Sequence, residues 1–553
     1  MAFPLASSFI IWLLGLAGSA AAFKKAKRSF ARARYVAAAI AIVVSAGFIW
    51  MALSTTDEKI AYGAEDPRPP NAPIGVGKGI YLGRVAWIHD PNATSWPGAD
   101  NNTLPPYWHS NTCTNQQVVN VMLSDALRAL TGRDSDAASW DAIFKSFNQQ
   151  MGRGYVGYTP GEKIAIKINF VLMNDVVNSG TKNPSYLDQI DNSPQLAIAI
   201  LKQLTNVAGV DACNISIGDP TQCMPDYWYD MVEPNCPGVV YLEKSTATQT
   251  GRTPVTADND ANFFWSDPIT SRVTGTTQDK IPTHFSQAKY FINFAVLKSH
   301  NDGGITVCGK NNFGSLMRKP TTSGYYSMHW TRATETPGMG HYRAIVDLMG
   351  HPKLGGKTML ALIDGLYSGR SWDSHPIRWN MAPFNGDWPS SIFLSQDPVA
   401  ADSVAYDFMY NEWNADPGTI NGYPHKSGTH DYLHEAALAF DPPSDANYDP
   451  NHSGRLTKSL GVHEHWNNAT DKEYSRNLDP IDGNGIELVT EPGLVGDFCT
   501  DGVVDFKDFA IFAAAWHSRP GDNNWKSKCD ISEPSGDVID EYDLMVFCEN
   551  WLE

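Results

Sequence analysis

Five short apolar runs, each continuous in hydrophobicity and each followed by polar residues, limit the folds open to this chain. They are 163–169 (KIAIKIN), 214–217 (NISI), 290–297 (YFINFAVL), 358–363 (TMLALI) and 391–394 (SIFL). A strand exposed on one face alternates apolar and polar residues, whereas a strand covered on both faces does not. Helical patterns lie at 114–131, 138–151 and 194–208, the last with Ser193 as cap, Pro194 at the first helical position and Gly209 at its end. Buried strands separated by helices predict an α/β class, a mostly parallel or mixed sheet with covering helices.

The ends of these strands carry the chemistry: Lys167 and Asn169, then Asp219, then Lys298 and His300, then Asp364 with Gly365, then Ser395 and Asp397. In open α/β sheets ligands bind beyond the carboxyl ends of the strands. Lys167 and Asn169 are two residues apart, as are Lys298 and His300, so each pair projects to one side. Singly, each residue reads as a turn former or as half of an ion pair such as Lys298 with Asp364. Together they predict a shared polar site.

The stretch 297–317 (LKSHNDGGITVCGKNNFGSLM) adds to it. Gly303, Gly304, Gly309 and Gly314 permit close backbone approach, and Lys298, His300 and Lys310 supply positive or switchable charge. Such a loop suits a carboxylate or phosphate held by backbone N–H groups and two ammonium groups. The GxxxxGK[ST] order is missing and no GxGxxG follows a strand, so a nucleotide reading is weak. The plain alternative is a glycine-rich surface loop with solvated lysines.

Histidines form a second group. His430 and His434 are four apart, on one face of a short helix, and His463 and His465 are two apart, on one face of an extended segment. Such pairs can hold a divalent transition metal, with Asp431, Glu435 or Glu464 as carboxylate ligands or bases. Histidines that merely hydrogen-bond in loops or stack on aromatics such as Trp466 are the commoner case.

From Asp497 the tail carries a calcium-loop spacing, with Asp497, Cys499, Asp501, the Val503 carbonyl, Asp505 and Asp508 at positions one, three, five, seven, nine and twelve and Gly502 at six. Cysteine at three and aspartate at twelve depart from the usual ligands. After a helix at 509–516 comes a second, weaker copy, in which Asp530, Asp540 and Asp543 match but the loop is two residues too long.

Two apolar runs open the chain, 3–23 and 35–53, each long enough to span a hydrocarbon core as a helix, with Lys24, Lys25, Lys27, Arg28, Arg32 and Arg34 between them. Positive loops stay cytoplasmic, so a membrane hairpin with the body outside is expected. A late signal peptide over 24–54 would export the body equally. The 553-residue chain has net charge −18 with six of its cations in that one loop, so a nucleic-acid partner is excluded by charge. Its eight cysteines contain no CxxC pair. Export permits disulfides, with Cys213, Cys223 and Cys236 able to staple one loop region and Cys499, Cys529 and Cys548 the tail, while Cys113 and Cys308 read equally as buried thiols.

From about 161 to 489, KIAIKINF, SPQLAIAIL, ISIGDP, NFAVLKSHNDGGITVCGKNNFGSL, ALIDGLYSG and SQDPVAADSVAYDF resemble the domain of unknown function 362 family, in an exported subgroup that continues into YLHEAA and SLGVHEHWNN. The resemblance implies architecture more than reaction. Some relatives carry ferredoxin-type cysteine clusters, absent here, so no iron–sulfur cluster is expected. Residues 497–552 resemble a dockerin-type duplicated calcium module of the divergent sort appended to exported bacterial proteins of planctomycete type. That resemblance implies docking onto a cohesin-like partner or retention at a cell surface.

The expected organisation is therefore a membrane hairpin (1–54), a linker (55–77), an extracytoplasmic α/β domain (78–490) and a small all-α calcium module (495–553). The leading functional expectation is an enzyme acting on a small anionic or carbohydrate-derived substrate. Lys167, Lys298, His300, Lys310 and Asp364 would be catalytic, and Asn169, Asp219, Gly303, Gly304, Asn311 and Asp397 would bind. The rivals are a non-catalytic binding or assembly protein and a histidine-rich metalloenzyme.

Overall fold

The computed structural model describes residues 68–98, 105–171, 187–267, 278–301, 303–317, 338–413, 424–425, 428–480, 482–499, 503–532 and 536–551. The chain divides into Met1–Ala61 and Tyr62–Glu553, and everything described belongs to the second part. The two N-terminal apolar runs lie outside the described residues, and no described helix is long and apolar enough to cross a membrane.

Ten described strands form the main sheet. They are Arg84–His89 (β1), Ile164–Lys167 (β2), Ile215–Gly218 (β3), Val240–Glu243 (β4), Thr253–Pro254 (β5), Tyr290–His300 (β6), Gly304–Thr306 (β7), Thr358–Gly369 (β8), Ser391–Ser395 (β9) and Glu487–Val489 (β10). Their spatial order is β10-β1-β9-β8-β6-β2-β3-β4-β5, with β7 folded back on β6. Along this path β9 runs against both its neighbours, and the other pairs are parallel. All five apolar runs are strands of this one mixed sheet.

Continuous burial follows from cover on both faces. Along β6, Tyr290, Ile292 and Phe294 enter one core with Gln116–Thr131 (α1), Asp136–Gln150 (α2), Pro194–Lys202 (α3) and Asp226–Val232 (α4). Phe291, Ala295 and Leu297 enter the other, with Cys308–Asn311 (α5), Ala344–Gly350 (α6), Pro398–Glu412 (α7) and Asp431–Ala437 (α8). Local signals set the helix ends. Asn115 caps α1 through its side chain and Gly132 closes it at φ 64°, a left-handed conformation that costs glycine little. Asp397 caps α7, with Pro398 in its first turn.

The chain leaves β2 through α3 on the first face and leaves β6 through α5 and α6 on the second. Since β2 and β6 are adjacent and parallel, the sheet's switch point lies between them. Connections that part to opposite faces leave a crevice at the carboxyl edge, where α/β sheets take their ligands.

The tail has its own small core, built by Phe498, Val504, Phe512 and Phe547 around Phe506–Ala515 (α9) and Glu541–Glu549 (α10). It is tied to the α/β body by Tyr155 Oη donating to Asp530 Oδ2 at 3.0 Å and Arg133 Nη2 donating to the Ser527 carbonyl at 3.2 Å. All eight cysteines are free thiols, so neither expected set of staples is formed; Cys213 and Cys548 are exposed and the others buried.

Candidate functional site

Register decides which strand-end residues meet. Lys167 is paired with Asn293 across β2 and β6, and Lys298 lies five residues beyond Asn293. An odd separation along a strand reverses the side chain. Lys167 and Lys298 therefore project to opposite faces, and the single pocket expected from the sequence is two clusters.

On the second face Lys167 is fully buried and donates to Asp219 Oδ2 at 3.1 Å, Asn311 Oδ1 at 3.0 Å and the Ile168 carbonyl. Burial lowers its pKa, and the Asp219 charge works against that shift. Asp219 also accepts the Thr221 N–H and O–H. Asn311 donates to Asn293 Oδ1 at 2.8 Å and to the Lys167 and Phe294 carbonyls. A methyl group at Gly314 would sit 2.9 Å from Lys167 Nζ and 3.0 Å from Asp219 Oδ1, so that glycine lets the chain close over the pair. Lys310 is half-buried, with Nζ 4.9 Å above the Phe313 ring.

On the first face the organiser is the segment 188–193 (DQIDNS), which lies across the ends of β2, β6 and β8. Its Ile190 carbonyl accepts from buried Lys298 Nζ at 2.9 Å. Asp191 accepts from the Val171 N–H and the Tyr227 hydroxyl, both at 2.7 Å. Asn192 accepts the Asn169 N–H and donates to the Ala295 carbonyl. Ser193 gives both its N–H (2.7 Å) and its hydroxyl (2.8 Å) to Asp364 Oδ2, so it serves Asp364 where a side-chain helix cap was expected. Burial pushes the Asp364 carboxyl up to about 6. His375 Nδ1 lies 2.9 Å from Asp188 Oδ1.

His300 ends β6. Its Nδ1 accepts the N–H of half-buried Gly303 at 3.0 Å, so the neutral ring carries its proton on Nε2. Gly304 turns the β6–β7 hairpin at φ +80°, and a methyl there would meet Thr429 Cγ2 at 1.9 Å. Asp397 belongs to the α7 cap, accepting from Val399 and Ala400 and, on Oδ2, from the Lys78 and Val462 N–H groups. Burial raises it to about 6.

The four histidines do converge. Ring centres are 4.8 Å apart for His434 and His463, 4.9 Å for His463 and His465, 6.1 Å for His430 and His434 and 6.4 Å for His430 and His465. The neighbouring carboxylates are committed elsewhere. Asp431 pairs with Arg343 at 2.6 Å, Glu435 accepts from Ser444 and Tyr448, and Glu464 accepts from Ser475 and Ile486. The histidines are oriented instead from α7, by Ser403, Tyr406 and Asp407.

In the tail, Asp497, Cys499 and Asp508 are buried, with ligand atoms within 4.8 Å of one another, the one such triplet of metal donors among the described residues. Asp508 accepts the Cys499 and Asp505 N–H groups, and Asp543 repeats the pattern with Ile531, Ser532 and Asp540. Val503 is exposed, Asp505 and Asp540 cap α9 and α10, and Asp501 lies outside the described residues. Asp530 is engaged by Tyr155, and burial pushes its carboxyl up to about 7.

Residues 164–407 match a family model described as a domain of unknown function (DUF362). The match runs from the start of β2 into α7, enclosing both strand-end clusters and stopping short of the histidines and the tail. No curated protein matches the chain.

Proposed function

We propose that the protein is a membrane-tethered extracytoplasmic enzyme acting on a small anionic or carbohydrate-derived molecule at the carboxyl edge between β2, β6 and β8. The observation that carries this reading is the first-face cluster. Buried Lys298, Asp364 with a carboxyl near 6, and the amide- and acid-rich segment 188–193 gather at the switch point. A polyhydroxylated acid suits that surface, its anionic group toward Lys298 and its hydroxyls toward the Asp and Asn side chains. His300, with its proton on Nε2, is the general acid or base. Lys167, Asp219 and Asn311 hold the edge in place from the opposite face, and Lys310 contributes positive potential.

The tail is read as a calcium module. Its buried donors Asp497 and Asp508, with Asp501, Asp505 and the Val503 carbonyl, suit a hard cation, and Asp530, Asp540 and Asp543 form the weaker copy. It would dock a cohesin-like or other cell-surface partner. A thermal-shift screen of sugar acids and sugar phosphates against the full chain tests the enzyme reading. A stabilising ligand that is turned over, with turnover lost but binding kept in His300→Asn, supports it. Binding without turnover moves the protein to a binding role, and no stabilisation by any compound refutes the reading.

A further inference from the structure

The histidine ring lies outside the proposed substrate site. Three of its members are fixed from one face of α7, where Ser403, Tyr406 and Asp407 stand at i, i+3 and i+4. Ser403 Oγ donates to the Val399 carbonyl at 2.7 Å. Its oxygen must therefore accept from His463 Nδ1, 2.8 Å away. Asp407 Oδ1 accepts from His465 Nδ1 at 2.5 Å, and Asp407 Oδ2 is itself held by the Trp466 N–H and the Tyr474 hydroxyl. Both neutral imidazoles thus carry the proton on Nδ1 and the lone pair on Nε2. His430 Nδ1 lies 3.2 Å from the Tyr406 hydroxyl. A ring nitrogen tied to an oxygen partner while the other keeps its lone pair is how proteins orient metal-binding histidines.

The spacing agrees. Imidazoles sharing an ion at about 2.0–2.1 Å have ring centres about 5 Å apart. The His434–His463 and His463–His465 separations of 4.8 and 4.9 Å are close to this, His430 stands 6.1 and 6.4 Å from its neighbours, and no three of the four rings bring ligand nitrogens within 4.8 Å of one another. We propose that His430, His434, His463 and His465 form a binding site for one divalent transition ion of the imidazole-preferring class, Zn²⁺, Cu²⁺ or Ni²⁺, with the rings drawing together on loading. Four protein nitrogens in a largely buried setting close the coordination shell, so the ion's role is structural. It pins the segments 428–437 and 460–466 to α7.

Cobalt is the probe, added to the metal-stripped full chain in excess calcium so that the tail's oxygen donors are occupied. The expected result is one equivalent bound with visible d–d bands, no near-ultraviolet thiolate charge-transfer band, a raised Tm and displacement by Zn²⁺. His434→Gln and His465→Gln, each checked by circular dichroism without metal, should weaken binding at least tenfold. His465 is the more exposed of the two, so its variant keeps the test open if the other does not fold. Absence of d–d bands in the folded wild-type protein, bands accompanied by thiolate charge transfer, or cobalt affinity unchanged in either folded variant would each overturn the proposal.

Discussion

Replacing Asp219 by Asn removes the one carboxylate paired with the Lys167 ammonium among the described residues. At 3.1 Å and an effective dielectric of about 20, the attraction lost is about 5 kcal/mol, part of which already offsets the cost of burying both ions. Breaking one side of such a pair costs about 3–5 kcal/mol. Asp219→Asn is expected near 4 kcal/mol, roughly the middle of that range, because Lys167 is fully buried and keeps only Asn311 Oδ1 and the Ile168 carbonyl. Lys167→Met should cost less, about 3 kcal/mol, since Asp219 retains the Thr221 N–H and O–H. The double variant leaves no buried charge and should be roughly 3 kcal/mol better than the sum of the singles. Urea unfolding of the full chain, followed by circular dichroism, measures all three. Single costs below about 1 kcal/mol, or additivity within about 0.5 kcal/mol, would refute the assignment of this pair as a buried support for the edge.

Three further outcomes follow from the same geometry. Asp364 has its carboxyl raised from 3.8 to about 6 by burial, so its stabilising contribution is present below about pH 4 and lost as pH rises through 6. Asp364→Asn should therefore gain about 3 kcal/mol on wild type between pH 4 and 7.5, seen as diverging Tm curves; parallel curves would contradict it. Gly304→Ala combines φ +80° with a methyl 1.9 Å from Thr429 Cγ2 and should destabilise by about 2 kcal/mol or more, with Thr429→Gly recovering the steric part alone. Tyr155→Phe removes the hydroxyl that holds Asp530, about 1 kcal/mol of tail docking. Tail release by limited proteolysis should rise in that variant. In wild type it should also rise as pH passes upward through about 7, where the buried Asp530 carboxyl ionises.

The strands were legible because burial on both faces writes itself as continuous apolar runs, and all five runs became strands of one sheet. β10 is only three residues long and flanked by acids, and β1 carries an apolar run, Val85 to Ile88, as continuous as 391–394 but bounded by Arg84 and Asp90. The two clusters were not separable from sequence, because only the Lys167–Asn293 register shows the lysines on opposite faces. In sequence the segment 188–193, a run of acids and amides before Pro194, reads as a helix entry. Its carbonyl to Lys298 and its serine to Asp364 depend on strands more than a hundred residues away. Asp397 stands in sequence among the candidate ligand groups, yet Asp-Pro at a helix start is ordinary capping chemistry, and capping α7 is what its side chain does here. The convergence of the histidines was anticipated, but their supports on α7 were not, because Ser403, Tyr406 and Asp407 meet them only through the fold.

The central claim is that the carboxyl edge on the Lys298 face is where a ligand sits. Hydrogen exchange on the full chain, with and without a sugar acid or sugar phosphate that raises its Tm, tests this directly. Protection concentrated in 188–193, 298–304 and 364–366, and lost in Lys298→Met, is the predicted result. Protection confined to the tail or to the histidine segments, or unchanged by Lys298→Met, would contradict it.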